Sequence, residues 1–289
     1  MFQTKTGSFP IGFRRGWSDW QKDLTGLCAW ARASGFGHID VGANSADAEK
    51  VIQAGLKVGS ADLGGGRGWM SEDPEEVKDC LENLGAHIAS CAAKGVTNFF
   101  DVMIPKDSSK RRSENFELMV NGLTKLVTIL EANNAKLVIE GWPGPGALAC
   151  TPESLRETFK RVPSKAIGIN FDPSHLLRMG IQPAPFLYEF ADRVFHVHGK
   201  DTAVYPEKMY DFGHEQSATL AQGFGFGSHV WRYTIPGHGI TNWKQIFDIL
   251  VAKGYKGAVC IELEDENFNG TTEGEQEALI ASGQFLSHC

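Results

Sequence analysis

The chain carries no excess of basic charge: 28 Lys and Arg stand against 35 Asp and Glu, a formal net charge of −7 at pH 7. Its basic residues are scattered apart from Lys110-Arg111-Arg112, which argues against a nucleic-acid polyanion as partner. No apolar run approaches the length that spans a bilayer. The N-terminal MFQTKTGSFPIGF also lacks the charged-then-apolar order of a secretory leader, so the expectation is a cytoplasmic protein with no membrane partner. Cysteine is sparse. The six (Cys28, Cys80, Cys91, Cys150, Cys260, Cys289) form no CxxC pair, and a chain this long needs no disulfide staples, so they read as reduced and mostly buried. Dinucleotide and mononucleotide fingerprints are missing too: no GxGxxG follows the first apolar run and no GxxxxGK[ST] occurs. Gly64-Gly65-Gly66-Arg67-Gly68 has neither spacing and reads as a loop. Linkers and low-complexity tracts are absent, which favours one domain over residues 1–289.

What is there is an alternation of short apolar runs with longer amphipathic stretches, in a composition of 42% hydrophobic and 22% charged residues that supports an ample core. Eight strands are expected, at Phe9–Phe13, His38–Val41, Leu56–Ala61, Asn98–Val102, Lys136–Ile139, Ala166–Phe171, Arg193–Val197 and Gly257–Ile261. Helices are expected near 17–34, 46–54, 74–94, 113–132, 152–160, 183–191, 242–253 and 272–285, one after each strand. Asp73-Pro74-Glu75-Glu76 reads as a helix cap, a first-turn proline and a capping box, and Thr151-Pro152 repeats the cap and proline. Lys94-Gly95, Lys253-Gly254 and Ser34-Gly35 mark helix stops. The runs LVI, IGINF, VFHV and AVCI do not alternate polar with apolar, the mark of strands buried on both faces. Eight such units in an α/β chain point to a single-domain TIM barrel, (β/α)8.

The active site of such a barrel forms at the C-terminal ends of its strands. Four consecutive runs end in ionisable residues: KLVI in Glu140, IGINF in Asp172, VFHV in His198 and AVCI in Glu262. Any one is ordinary where a loop begins. Four on one rim are costly to desolvate without a compensating charge, and a divalent cation supplies it. Three carboxylates and one imidazole suit Mn²⁺, Mg²⁺ or Co²⁺, with Mn²⁺ leading and Zn²⁺ left open. A sugar with neighbouring carbonyl and hydroxyl oxygens can chelate such an ion, which acidifies the adjacent C–H and stabilises an enediolate. Glu140 and Glu262 are the candidate bases. Proton return on the opposite face gives epimerisation, return to the neighbouring carbon gives isomerisation, and loss of a β-hydroxyl gives dehydration; the residues alone do not separate the three.

Over its whole length, and most from Glu140 onward, the chain resembles the xylose isomerase-like barrels, also called sugar phosphate isomerases/epimerases, which include ketose 3-epimerases, hydroxypyruvate isomerase and inosose dehydratase. The carriers are VIEGWPG, NFDPSHLL, VFHVHGKDT, VWRYTIPGHGITNWKQIFDIL and GYKGAVCIELED. The resemblance implies Glu140, Asp172, His198 and Glu262 as ligands of one cation, with His175 and Arg232 as substrate contacts. Lys200 is read as holding a substrate oxygen or neutralising the carboxylates, Asp201 as structural, and His196, two residues before His198 and so on the same strand face, as a deeper barrel-core histidine or a partner steadying the ligands. Trp142 replaces a polar residue of many relatives. Phe13, Trp17, Trp69 and Phe224 are either the lining of a sugar-binding mouth or plain packing, and His214, His229 and His238 lie in a Gly-rich cover. A small carbohydrate is the expected partner, with a homo-oligomer left open. No phosphate cradle is visible. A DNA-repair nuclease on the same barrel needs extra histidines that DVGAN, DLGGG and WRY do not provide, and a non-catalytic barrel would require a broken metal set.

Overall fold

The computed structural model describes residues 1–215 and 218–289. Its strands, in chain order, are β1 (Ile11–Arg14), β2 (His38–Val41), β3 (Lys57–Asp62), β4 (Asn98–Val102), β5 (Lys136–Glu140), β6 (Ile167–Phe171), β7 (Val194–Gly199), β8 (Asp201–Val204), β9 (Trp231–Thr234) and β10 (Val259–Ile261). Eight of them close into a barrel in the order β1-β10-β7-β6-β5-β4-β3-β2, and β8 with β9 makes a separate two-stranded sheet. All eight expected strands form, each within two residues of its expected bounds. LVI, IGINF and VCI are buried throughout, as the missing alternation requires.

Contacts group the chain into two units. In the first (Met1–His38, Asp172–Ala191, His198–Cys289), β1 pairs parallel with β10, Phe13 opposite Ile261. The expected helix at 17–34 is two, Asp19–Lys22 and Leu24–Ala33, because the Asp23 side chain accepts the Gly26 N–H and starts the second afresh. A short helix unforeseen from sequence, Pro173–Arg178, follows β6 directly and is capped by Asp172.

The same unit departs from the one-strand, one-helix rhythm after β7. The chain enters β8, makes a long excursion and returns in β9, antiparallel, with Ala203 opposite Arg232, before the helix Trp243–Ala252. Arg232 therefore sits on a strand, whereas its place between the last two expected strands of the barrel reads as loop from sequence. Thr-Ala-Val and Trp-Arg-Tyr-Thr are good strand formers, yet each is too short to announce a distant partner.

In the second unit (Ile39–Phe171, Asp192–Val197) β3, β4, β5, β6 and β7 pair in parallel succession. Gly168 on β6 allows a close approach, since a Cβ there would meet Phe195 at 2.3 Å. Gly122, in the helix Arg112–Ala132, allows another, against the backbone oxygen of Trp69. The proline-led helices start as expected: Asp73 accepts from Glu75 N–H and Thr151 from Ser154 N–H. Glu76 does not complete a capping box; its carboxylate turns instead to Ser71 and Lys106. Gly35, Gly95 and Gly254 all take positive φ at the helix stops. Among the described residues no helix is long and apolar enough to cross a membrane, and five of the six free cysteines are buried.

Candidate metal centre and active site

Asp172 owes its orientation to its own sequence neighbourhood. As N-cap of Pro173–Arg178 it spends Oδ1 on the Ser174 N–H, at 2.8 Å. Oδ2 is buried and makes no hydrogen bond among the described residues. The first turn of the same helix brings His175 alongside, its Nε2 3.4 Å from Asp172 Oδ2. The Tyr233 hydroxyl, from β9, lies 2.7 Å from His175 Nδ1 and accepts a hydrogen bond from Arg178. Asp172, His175 and Glu262 each offer a ligand atom, all within 4.8 Å of one another. His198, fully buried at the end of β7, has Nδ1 3.6 Å from Glu262 Oε2. Hard oxygens with imidazole nitrogen suit a divalent cation, and a buried carboxylate oxygen without a hydrogen bond is the donor such an ion would use.

Lys200 is 1% exposed. Its ammonium donates to Glu262 Oε2 at 2.5 Å and to Glu264 Oε2 at 2.9 Å, and lies 3.3 Å from Asp172 Oδ2. Arg14, at the end of β1, approaches Glu262 from another side, Nε to Oε1 at 3.4 Å. Burial by itself would raise the Glu262 carboxyl, but Lys200, His198 and Arg14 outweigh it and hold the group well below the usual carboxylate range. Glu262 is thus kept ionised by fixed positive charge.

Arg232 donates through Nη1 to Asp265 Oδ1 at 2.6 Å and through Nε to the Tyr205 hydroxyl at 3.1 Å. Asp265 also accepts from Thr234 Oγ1 and, at 3.2 Å, from the Ile235 N–H. Asp201 serves the structure: its carboxylate accepts from the backbone N–H of Gly237 and Thr241 and from Trp243 Nε1.

In the second unit Glu140 closes β5, buried, with Asn170 of β6 directly opposite and donating Nδ2 to its Oε1 at 2.9 Å. His196 is the deep core histidine that its spacing implied, with Nε2 2.8 Å from Asp40 Oδ2. The Trp142 ring covers Gly144, where a Cβ would meet it at 1.7 Å. Of the four aromatics considered for a sugar mouth, Phe13 and Trp69 are core, Phe224 stacks on Tyr205 at 4.6 Å, and Trp17 faces solvent. In the Gly-rich cover, of which 216 and 217 lie outside the described residues, His229 Nε2 lies 3.0 Å from the Ala221 carbonyl.

Four residues of this neighbourhood escaped the sequence reading: Arg14, Tyr233, Glu264 and Asp265. Glu264 was within reach, because it stands in the same acidic run as Glu262, Glu-Leu-Glu-Asp, just beyond the end of β10. Tyr233 carries no local signal.

Residues 28–286 match the family model of the xylose isomerase-like TIM barrel. The chain belongs to that family. Among curated proteins, this xylose isomerase-like barrel is 27% identical over 192 residues to an inosose dehydratase of Clostridium beijerinckii, an alignment covering 65% of this chain and 61% of that protein. It is 24% identical over 284 residues to an inosose dehydratase of Clostridium botulinum, covering 91% of each. Many solved structures share its fold, among them these two. One is the apo 3-keto-D-glucoside 4-epimerase YcjR of E. coli (15% identity, 96% of this chain and 99% of that one, TM-score 0.69). The other is the IolI protein with a bound zinc atom (18%, 96% of each, TM-score 0.69).

Proposed function

We propose that this chain is a divalent-metal-dependent isomerase or epimerase of a sugar, keto-sugar or polyol derivative, in which Glu140, Asp172, His198 and Glu262 hold one cation, Mn²⁺ by preference. The observation that carries the reading is the approach of Asp172 and Glu262, whose ligand atoms lie within 4.8 Å of each other, with His198 Nδ1 3.6 Å from Glu262 Oε2, in a neighbourhood where one Asp172 oxygen has no hydrogen bond among the described residues. Glu140, which ends β5, is assigned as the fourth ligand because ligands of such a barrel gather at the C-terminal ends of its strands. When bound, the cation polarises the substrate carbonyl and acidifies the adjacent C–H. Glu262 removes or returns a proton at that carbon, kept ionised for the task by its cationic neighbours; Glu140 serves the opposite face. His175, its ring set by Tyr233, reaches a substrate oxygen through Nε2. Arg232 clamps the substrate from β9, and Lys200 holds an oxygen next to Glu262. Residues 1–289 act as one domain on a small carbohydrate, and nucleic acid is not a partner.

A second reading, elimination of a β-hydroxyl from a keto-polyol, is favoured by the inosose dehydratase relatives and uses the same carbon acid. Incubation with keto-sugars and inososes in D₂O with added Mn²⁺ tests both. Metal-dependent deuterium wash-in without loss of water supports the isomerase or epimerase, and appearance of a dehydrated enone or diketone supports the lyase. Glu140→Gln and Glu262→Gln should each lose exchange from one side of the reaction. Native exchange in both variants from either side would remove the glutamates from the acid–base role.

A further inference from the structure

Trp17 is 84% exposed, an unusual place for the largest apolar side chain. It stands in the loop after β1, and that loop is tied down on both sides of it. Arg15 donates to the Gln21 carbonyl at 2.8 Å and to the Lys22 carbonyl at 3.1 Å, and the Gly16 N–H donates to Gln21 Oε1 at 2.5 Å. Beyond it, Glu275 Oε2 accepts from Ser18 Oγ, Trp20 Nε1 and Gln21 Nε2 at 2.6, 2.7 and 2.9 Å. The indole is therefore held out into water by a fixed loop. It lines a cavity of about 230 Å³ together with Arg14, Glu262, Glu264, Asn269 and Phe226. Glu262, the candidate base, thus borders the same space as the exposed ring.

We infer that this cavity is a second sugar subsite: the substrate is a glycoside whose reacting ring lies at Glu262 and whose non-reacting pyranose ring stacks on Trp17. This deepens the carbohydrate reading above and rests on it. The walls select the occupant. A flat indole and Phe226 offer apolar faces, while Glu264 and Asn269 offer acceptors and a donor at the edges, which matches a pyranose with an apolar C–H face and a hydroxylated rim. An anionic tail fits poorly, because Arg14 is paired with Glu262 and the lining acids Glu262, Glu264 and Glu275 outnumber Arg14 and Arg15. The loop is already ordered, so stacking requires little further loss of chain entropy.

Calorimetry on the Mn²⁺-loaded protein tests it, with glucose, fructose, trehalose and cellobiose as probes, alongside the deuterium-exchange assay. At least one disaccharide should bind more tightly than the monosaccharides. Trp17→Ala should weaken it about tenfold, an effect near the upper end for one aromatic contact, with monosaccharide affinity and thermal midpoint unchanged; Trp17→Phe should recover part of the loss. Equal binding of mono- and disaccharides, no binding of any probe, or an equal effect of Trp17→Ala on both classes overturns the subsite. So does a dimer that Trp17→Ala abolishes while sugar affinities stay the same, which would make Trp17 an interface residue. Exchange on free keto-sugars with no disaccharide preference defeats the subsite and leaves the proposed function standing. Trp17-dependent disaccharide binding with no exchange on any keto-sugar defeats the function and leaves the subsite.

Discussion

Arg232 and Asp265 form an ion pair at 2.6 Å in which the carboxylate is fully buried and the guanidinium is one-tenth exposed. Asp265 is further satisfied by Thr234, the Ile235 N–H and the Asn267 N–H. Removing one partner of such a pair strands the other charge, at a cost of about 3–5 kcal/mol. Arg232→Ala should therefore lower the unfolding free energy from urea titration by that order while raising KM and leaving metal content native. A stable variant with native KM would deny Arg232 both roles, and loss of metal would move it into a structural role.

Lys200 occupies the space among Asp172, Glu262 and Glu264 that a metal cation would also neutralise. Lys200→Met removes that charge and leaves the carboxylates to repel one another, so the metal-free variant should be less stable than the metal-free wild type. Added Mn²⁺ should raise its thermal midpoint by more than it raises the wild type's. Equal metal-induced shifts in the two proteins would show that the lysine and the cation do not compete for the same field.

Asp172 and His198 should couple metal affinity to stability. At a free metal concentration about 100 times Kd, binding to the native state adds about 2.7 kcal/mol. Asp172→Asn and His198→Ala should each lose most of that increment in Mn²⁺ titrations followed by thermal melting. Unchanged metal content in both would remove them from the ligand set.

Burial pushes the Asp101 carboxyl up to about 6, against the opposing pull of its partner Arg67, whose Nη1 lies 2.6 Å away. A raised acid binds its proton more tightly in the native state, so its stabilising contribution is complete below about pH 4 and is lost as pH rises to about 6. The full change is roughly 3 kcal/mol. Relative to the wild type, Asp101→Asn should gain stability from pH 4 to pH 7, read from urea midpoints. A constant difference across that range would place the Asp101 pKa near its ordinary value.

The sequence by itself determined the barrel. Unalternating strands such as IGINF can only be buried on both faces, and the cap, proline and glycine signals act within a few residues of the helix ends they mark. It also determined the positions of Glu140, Asp172, His198 and Glu262, since a charged residue ending an apolar strand is visible locally. Asp172 is the clearest case, because its Oδ1 is committed by the very next turn, Pro-Ser-His. What only the tertiary structure decided depends on partners far away in the chain. Lys200 meets Glu264, Tyr233 meets His175, Arg232 meets Asp265 and β8 meets β9 across separations that no local pattern records. Trp17 and Trp69 have the same side chain and the same sequence-level readings, yet one is core and the other stands in water. The difference lies in what packs around each loop: Trp69 is covered by the helix that carries Gly122, while hydrogen bonds to Glu275 hold the Trp17 loop on the surface. Burial is a property of the assembled neighbourhood and not of the residue.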